Sequence, residues 1–166
     1  MSIENTQYVS YLVELAKQGR RNAYFDLCNI NQRNVFTVVY RLLTDYELSK
    51  KITVAVFLVA WDNIKSYNPK ISFALWIKDL AVKYSVRELE KRGEIKLNDA
   101  SASIDLPRLE RIIMTLSNEE RIIFVLHDLE GYNYYEITTF LTHLSIDEVK
   151  TKLISTRESL IKQLEP

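Results

Sequence analysis

The sequence predicts an all-α protein in which two helical domains are joined by a flexible linker. Three observations support this fold class. Apolar residues recur at spacings of three and four, as they do on one face of a helix. The chain of 166 residues has only three glycines and three prolines, too few for the tight turns of a β-sandwich or barrel. A small and polar stretch, GEIKLNDASASID, separates the two periodic halves.

The domain bounds follow from this stretch and from the distribution of charge. We expect the first domain at residues 1–92, the linker at 93–105 and the second domain at 106–166. Residues 1–92 hold 14 lysines and arginines against 9 aspartates and glutamates, whereas residues 106–166 hold 7 against 10. The whole chain has no net charge, so a surface that binds nucleic acid must be local. The opposite signs of the net charge of the two domains predict that the domains have different functions.

Four apolar stripes predict four helices in the first domain. They run from Val9 to Ala16, from Val35 to Leu42, from Ile52 to Ala60 and from Phe73 to Ala81. Pro69 interrupts the chain before the last of them, because proline cannot continue a helix. Valine and isoleucine are frequent here and also suit strands, but the spacing and the missing hairpin turns favour helices.

The second domain is predicted to contain four helices, the last two forming a helix-turn-helix. Pro107 suits a helix start, and Gly131 suits a helix end. A short helix from Tyr134 to Leu141 precedes a long one from about Ile146 to Leu164, the order typical of a helix-turn-helix. Three pairs have the spacing of a capping box. They are Ser117 with Glu120, Asn133 with Glu136 and Ser145 with Glu148.

The sequence contains no pattern typical of an enzyme or of a metal site. His127 and His143 have no evident third ligand, and Cys28 is the only cysteine, which excludes an internal disulfide. A glycine-rich phosphate loop and a nucleophile elbow are both missing. We therefore expect no catalysis, no metal and no cofactor. The N-terminus lacks the features of a signal peptide and no apolar run could span a membrane, so we expect a cytoplasmic protein without membrane insertion.

Short motifs with a common spacing extend over nearly the whole chain. They are VFLVAW at 56–61, YNPKISFALW at 67–76, LSNEERIIF at 116–124, EGYNYYEI at 130–137 and the helix from Val149 to Leu160. In these motifs the chain resembles the extracytoplasmic-function group of sigma-70-type RNA polymerase sigma factors, which join a helical region 2 to a helical region 4. The resemblance implies a transcription initiation factor that binds core RNA polymerase and promoter DNA. An anti-sigma factor is a further candidate partner.

The resemblance implies that the first domain reads the minus-ten promoter element. In the loop before the fourth helix, Asn68 and Ser72 are candidates to bind the edge of an extruded base, and Lys70 to meet a phosphate. The cations of the fourth helix share one face and offer phosphate contacts. These cations are Lys83, Arg87, Lys91 and Arg92. Two alternatives stay open, namely that the loop aromatics are core residues and that the cations only form a solvated face.

The long last helix is similar to the family's recognition helix for the minus-thirty-five element. The implied DNA-binding residues are Ser145, Lys150, Thr151, Lys152 and Arg157. Its four cations are balanced by four carboxylates, which is unfavourable for holding phosphates. A neutral helix that packs on another protein is therefore the rival interpretation, and we expect this domain to contribute less to DNA binding than the first.

The VFLVAW motif is similar to the end of the family's polymerase-binding helix. By this resemblance Lys50, Lys51, Val54 and Phe57 are the candidate contacts with core polymerase. The family usually has acidic residues just before the motif, where this chain has two lysines, and such a reversal changes the electrostatic fit to a partner. The alternative function is a divergent sigma-like protein–protein interaction module that does not direct promoter choice.

Overall fold

The computed structural model describes residues 3–93 and 108–164, with side chains from Thr6 onward. These two ranges contain eight α-helices and no β-strand, which confirms the all-α class. The predicted linker, 93–105, lies outside the described residues except for Gly93. The division into two domains at this stretch therefore stays a prediction.

The first half of the structure contains four helices, and the second of these helices packs against the other three. The four helices are α1 at Ile3–Lys17, α2 at Arg21–Leu43, α3 at Tyr46–Asn63 and α4 at Phe73–Arg92. The four predicted stripes lie on these four helices. At 23 residues α2 is the longest, and it packs against α1, α3 and α4. A helix in that position needs a wide apolar face, and Val35, Val38 and Leu42 are accordingly buried.

Local signals fix the ends of α2, α3 and α4. Thr44 takes the left-handed conformation, with φ of 56°, and its N–H donates to the Tyr40 carbonyl at 2.8 Å, which ends α2. The Asp45 side chain then accepts from the Leu48 N–H at 2.9 Å and starts α3. A 3₁₀ turn at Ile64–Ser66 follows α3 and leads into the loop before α4.

The described part of the second half contains three short helices followed by one long helix. They are α5 at Arg108–Ile113, α6 at Asn118–Phe124, α7 at Tyr134–Phe140 and α8 at Ile146–Leu164. The capping boxes at Ser117 and Asn133 are both formed, and Ser145 exchanges equivalent bonds with Glu148. The α7–turn–α8 unit confirms the predicted helix-turn-helix. The sequence did not predict that α6 would continue into a π-helical turn at Val125–Leu129.

The two halves pack against each other. Helix α6 and the π-helical turn contact α2, and α7 contacts α4. The buried apolar residues form one cluster that includes Leu42 from the first half and Ile122 from the second. This packing brings the loop before α4, the exposed face of α4 and the helix-turn-helix to one region of the molecule.

Candidate nucleic-acid interface

The aromatic residues around the loop at 67–72 form a packed cluster. The Tyr67 ring lies 5.9 Å from the Phe73 ring and 5.1 Å from the Trp76 ring, measured between centroids. Tyr67 is 8% exposed and Phe73 is 1% exposed, so both are core residues and neither presents a face to an incoming base. Burial also raises the pKa of the Tyr67 hydroxyl. Its O–H donates to the Ile71 carbonyl and thereby fixes the loop.

The polar candidates of this loop are exposed and partly engaged in local hydrogen bonds. The Asn68 side-chain carbonyl accepts from the Lys70 N–H at 3.0 Å, which forms an Asx turn. The Ser72 hydroxyl accepts from the Leu75 N–H at 3.2 Å and caps α4. The Asn68 amide nitrogen and the Lys70 ammonium are therefore the groups of this loop best suited to meet a ligand. The structure brings Asn68, Lys70 and Ser72 together, and their roles stay predictions.

A cavity of about 310 Å³ lies between this loop and the first two helices. Val9 and Val13 of α1, Ile30 of α2 and Pro69 contribute its apolar wall, while Asn31 adds a polar group. This volume is at the lower end of the range for small-molecule sites, so a flat aromatic group of modest size fits it. The sequence did not indicate this cavity, because its wall depends on how α1 packs beside the loop.

The cations of α4 form one exposed row. Lys83, Arg87 and Lys91 follow each other at intervals of four residues, which aligns them on one face of the helix. Within the described ranges none of these three forms a salt bridge, whereas Arg92 pairs with Glu88. We name Lys83, Arg87 and Lys91 the α4 cation row. Because these charges are not paired with carboxylates, they are available to bind phosphate groups.

The cations of α8 are neutralised by carboxylates. The Lys152 ammonium lies 2.9 Å from a Glu119 carboxylate oxygen, and the Arg157 Nε donates to Asp128 Oδ2 at 2.8 Å. The Lys150 ammonium is 3.5 Å from an Asp147 oxygen. A charge held by a carboxylate contributes less to phosphate binding, because the pair must first be separated.

The pKa values of two carboxyl groups are lowered by these contacts. Hydrogen bonding to Arg157 lowers the pKa of the Asp128 carboxyl, with His127 adding to the effect. Hydrogen bonding to His143 and then to Lys152 lowers the pKa of the Glu119 carboxyl. Asp128 lies in the turn before α7 and Glu119 at the start of α6, so their contacts join both segments to the helix-turn-helix.

The hydroxyl candidates of α8 are engaged with its own backbone. The Ser145 hydroxyl caps the helix with Glu148, and the Thr151 hydroxyl donates to the Asp147 carbonyl at 2.9 Å. An exposed hydroxyl can exchange such a bond, so the predicted DNA contact of these residues is not tested by this geometry.

The exposed face of α3 carries the candidate contacts with core polymerase. Val54 is 60% exposed beside the exposed ammonium groups of Lys50 and Lys51. The Lys50 ammonium lies 2.7 Å from a Glu47 carboxylate oxygen, so this carboxylate partly neutralises its charge. Phe57 is half-buried and packs against the core. Leu58, 62% exposed and four residues after Val54, continues this face and was not among the predicted contacts, although its spacing from Val54 was the available signal.

Membrane-spanning helices and metal-binding clusters are both absent from the described residues 3–93 and 108–164. None of the helices in residues 3–93 and 108–164 is long and apolar enough to cross a membrane. Histidine, cysteine, aspartate and glutamate side chains in the same ranges form no group of three that could hold a metal ion.

The amino-acid sequence matches a curated relative over nearly its whole length. It is 22% identical over 177 residues to the ECF RNA polymerase sigma factor SigW of Bacillus subtilis (strain 168), covering 92% of this chain and 94% of that protein. No protein-family model matches the chain.

The fold matches solved structures of similar size. CnrH, in complex with the cytosolic domain of CnrY, superposes with a TM-score of 0.65 at 18% identity, covering 95% of this chain and 97% of that one. The sigma factor RpoE from Bartonella quintana, in complex with the anti-sigma factor NepR, gives 0.63 at 14% identity, covering 85% and 96%. The chain is thus similar in sequence to an ECF RNA polymerase sigma factor over nearly its whole length, and it shares the fold of CnrH and of the sigma factor RpoE.

Proposed function

We propose that the chain is a transcription initiation factor that binds core RNA polymerase and recognises promoter DNA. The observation that carries this proposal is the sequence similarity to a sigma factor over 92% of the chain, which spans both helical halves. The helix-turn-helix and the α4 cation row support it independently, because both are features of proteins that bind DNA. The protein acts in the cytoplasm, where the polymerase is.

The mechanism is one of binding and base capture, in which the protein makes and breaks no covalent bond. The α4 cation row neutralises phosphates near the minus-ten element, and Lys70 adds a contact from the loop. The Asn68 amide donates to the edge of an extruded base, and the cavity beside the loop receives the ring. Ser72 holds the start of α4 in position for these contacts.

The second half binds the minus-thirty-five element through α8. Lys150, Thr151 and Ser145 are at its N-terminal end, the part of a recognition helix that contacts base edges. Lys152 and Arg157 hold α8 to the rest of the second half. The second half therefore positions the protein on the promoter and contacts base edges, and it adds little affinity for phosphates. Arg157 and Lys152 bind DNA only when their ion pairs with Asp128 and Glu119 break.

Core polymerase binds the exposed face of α3. Val54 and Leu58 supply apolar area, and Lys50 and Lys51 give this face a positive rim. A complementary partner therefore has acidic residues opposite the lysines, since like charges across an interface reduce affinity. Phe57 supports this face from below through its packing against the core.

The experiment is a pull-down of core polymerase followed by transcription from promoter DNA. We expect the wild-type chain to retain the polymerase and to start transcription. Leu58→Asp should abolish retention because it inserts a charge into the apolar face, whereas Ile161→Asp, at an equally exposed apolar residue of α8, should not. Retention without transcription would favour the alternative, a protein–protein interaction module, and no retention by any version would contradict polymerase binding.

A charge-reversed variant tests the lysines in the same assay. Replacing Lys50 and Lys51 by glutamate and aspartate restores the acidic character usual in the family. If this chain binds a polymerase surface of the usual sign, the variant should bind more tightly than wild type. If its polymerase has an acidic surface at this point, the variant should bind more weakly. No change would show that the lysines lie outside the interface.

A further inference from the structure

A cleft of about 550 Å³ lies between α4 and the end of α7. This volume is well within the range of sites that bind small molecules. Four residues of α4 line one wall, and Phe140 of α7 contributes to the other. The residues from α4 are Trp76, Leu80, Lys83 and Arg87. The proposed function uses two of these residues, as cations, and gives the cleft itself no role.

The chemistry of the α4 wall changes along the helix. Trp76, Leu80, Lys83 and Arg87 follow each other at intervals of four, three and four residues, which places them on one face. The first two are half-buried and supply aromatic and apolar surface, whereas the two cations are exposed. Lys83 comes seven residues after Trp76, which is about 10 Å along the helix axis. The wall therefore fits a ligand with a flat ring at one end and an anionic group at the other.

An acidic cavity of about 250 Å³ adjoins the cleft at the end away from the cations. Leu75 and Asp79 are the α4 residues that line this cavity, and Glu136 of α7 lines it too. The Tyr132 hydroxyl donates to Asp79 Oδ1 at 2.6 Å and fixes the orientation of the carboxylate. Burial raises the pKa of the Asp79 carboxyl, and the nearby Glu136 carboxylate acts in the same direction. A carboxylate that accepts one hydrogen bond can accept more, so this end suits a group rich in N–H donors.

We propose that the cleft binds a purine nucleoside diphosphate whose base is guanine. The phosphates contact Lys83 and Arg87, and the planar guanidinium is suited to two parallel bonds with phosphate oxygens. The base lies against the rings of Trp76 and Phe140. Guanine has two neighbouring N–H donors on one edge, which match the acceptors of the Asp79 carboxylate. An acidic peptide has anionic groups for the cations but no donor-rich ring for the Asp79 end.

The nucleotide site can be tested separately from the proposed function. Lys83 and Arg87 are also proposed contacts of promoter phosphates, so one molecule cannot use them for both ligands at once. Nucleotide binding is therefore measured on the full chain without DNA and without polymerase. A failure of the site would leave promoter recognition standing, and a failure of promoter recognition would leave the site standing.

The first experiment is isothermal titration calorimetry with GDP and three truncated probes. Guanosine lacks the phosphates, pyrophosphate lacks the base, and inosine diphosphate lacks the amino group that donates to Asp79. We expect GDP to form a saturable one-to-one complex. Each of the other three should bind at least about tenfold more weakly, because a hydrogen bond to a charged group typically contributes that much affinity.

Substitutions at exposed or rim residues assign the contacts. Arg87→Gln removes a cation that lines the cleft, and its matched control, Lys91→Gln, removes a cation of the same row that does not line it. Arg87→Gln should weaken GDP binding at least about fivefold, whereas Lys91→Gln should change it by less than about twofold. Asp79→Asn keeps an acceptor for the Tyr132 hydroxyl and should abolish the preference for GDP over inosine diphosphate.

The two tryptophans report where the nucleotide binds. Trp76 lines the cleft, whereas Trp61 packs on Tyr24 with 4.9 Å between ring centroids and does not line it. Quenching of tryptophan fluorescence by GDP should therefore persist in Trp61→Phe and disappear in Trp76→Phe.

Three results would overturn the proposal. The first is no saturable binding of GDP to the wild-type chain. The second is pyrophosphate binding as tightly as GDP, which would mean that the surface attracts anions and does not recognise the base. The third is an equal loss of affinity in Arg87→Gln and Lys91→Gln, which would indicate general electrostatic attraction to α4. Because both of these residues are exposed, the comparison remains decisive even if Trp76→Phe does not fold.

Discussion

The Arg157 guanidinium of α8 donates through Nε to Asp128 Oδ2 at 2.8 Å, and Asp128 belongs to the π-helical turn after α6. His127, the neighbour of Asp128, stacks on Tyr134 with 4.7 Å between ring centroids. Helix α8 is therefore held to the turn that precedes α7. Arg157, which the resemblance implies as a DNA contact, is in this arrangement paired with a carboxylate of the same half, and its DNA contact stays a prediction.

The pairing of the α8 cations with carboxylates ranks the two proposed DNA-binding surfaces by their unpaired charge. Replacing Lys83 and Arg87 by alanine should flatten the dependence of log K on log salt by up to about two units, since each lost phosphate contact removes close to one unit. Replacing Lys150 and Lys152 by alanine should flatten it less, because both are already paired with carboxylates. The measurement is a salt titration on promoter-like fork DNA in the presence of core polymerase.

Arg20 and Arg21 offer a control for this titration. Both are exposed at the start of α2 and belong to neither candidate surface, and their joint replacement by alanine changes the net charge equally. This control should leave the slope nearly unchanged. A larger loss of slope in the Lys150/Lys152 variant than in the Lys83/Arg87 variant would reverse the ranking.

The Asp128 carboxylate should make the stability of the second half depend on pH. Its pKa is lowered from the ordinary value of 3.8, first by Arg157. A carboxyl with a lowered pKa in the folded state stabilises the fold above its ordinary pKa, and this contribution is lost as the pH falls through the lowered value. Asp128→Asn should therefore unfold more easily than wild type near pH 7, by about 0.5–1 kcal/mol for such a solvent-accessible pair.

The pH series distinguishes this ion pair from general packing. Thermal unfolding followed by circular dichroism should show the difference between wild type and Asp128→Asn decreasing between pH 4 and pH 2 (about the range of carboxyl titration). Asp26→Asn, at an exposed position of α2, should show no comparable difference at any pH. A difference for Asp128→Asn that stays constant with pH would mean that the charge of Asp128 is not what stabilises the unit.

The helices could be predicted from the sequence because the signals that form them are local. The spacing of Val35, Val38 and Leu42 requires only the geometry of a single helix, and the Asn133–Glu136 capping box spans four residues. The contact of Arg121 with the Leu42 carbonyl joins residues 79 positions apart and involves a backbone oxygen, which no side-chain pattern encodes. The cavity beside Asn31 and the ion pair of Lys152 with Glu119 likewise depend on contacts between helices that are distant in the sequence, so the sequence pattern did not indicate them.

The predicted linker can be tested by limited proteolysis of the full chain. We expect the first cut between Gly93 and Asp105, in the polar stretch that separates the two periodic halves. Because Arg121 and Asn118 bind the ends of α2 and α4, the two fragments should still elute together on size exclusion. Cutting first within residues 70–90 would contradict the predicted domain division, and immediate separation of the fragments would contradict a stable contact between the halves.

Asn68 has two roles in the structure and the proposal, and two substitutions separate them. Its side-chain carbonyl holds the Lys70 N–H at 3.0 Å, and its amide nitrogen is the proposed donor to a base. Asn68→Ser keeps an acceptor that can form the turn but removes the amide. Asn68→Ala removes both. Discrimination among bases at the minus-ten element, measured with core polymerase on a set of single-base variants, should fall equally in both, by about 1–3 kcal/mol at the position contacted. The salt slope should not change in either, because a contact with a base edge releases no counterion. If Asn68→Ser discriminates as well as wild type and only Asn68→Ala fails, Asn68 acts by shaping the loop and another group reads the base.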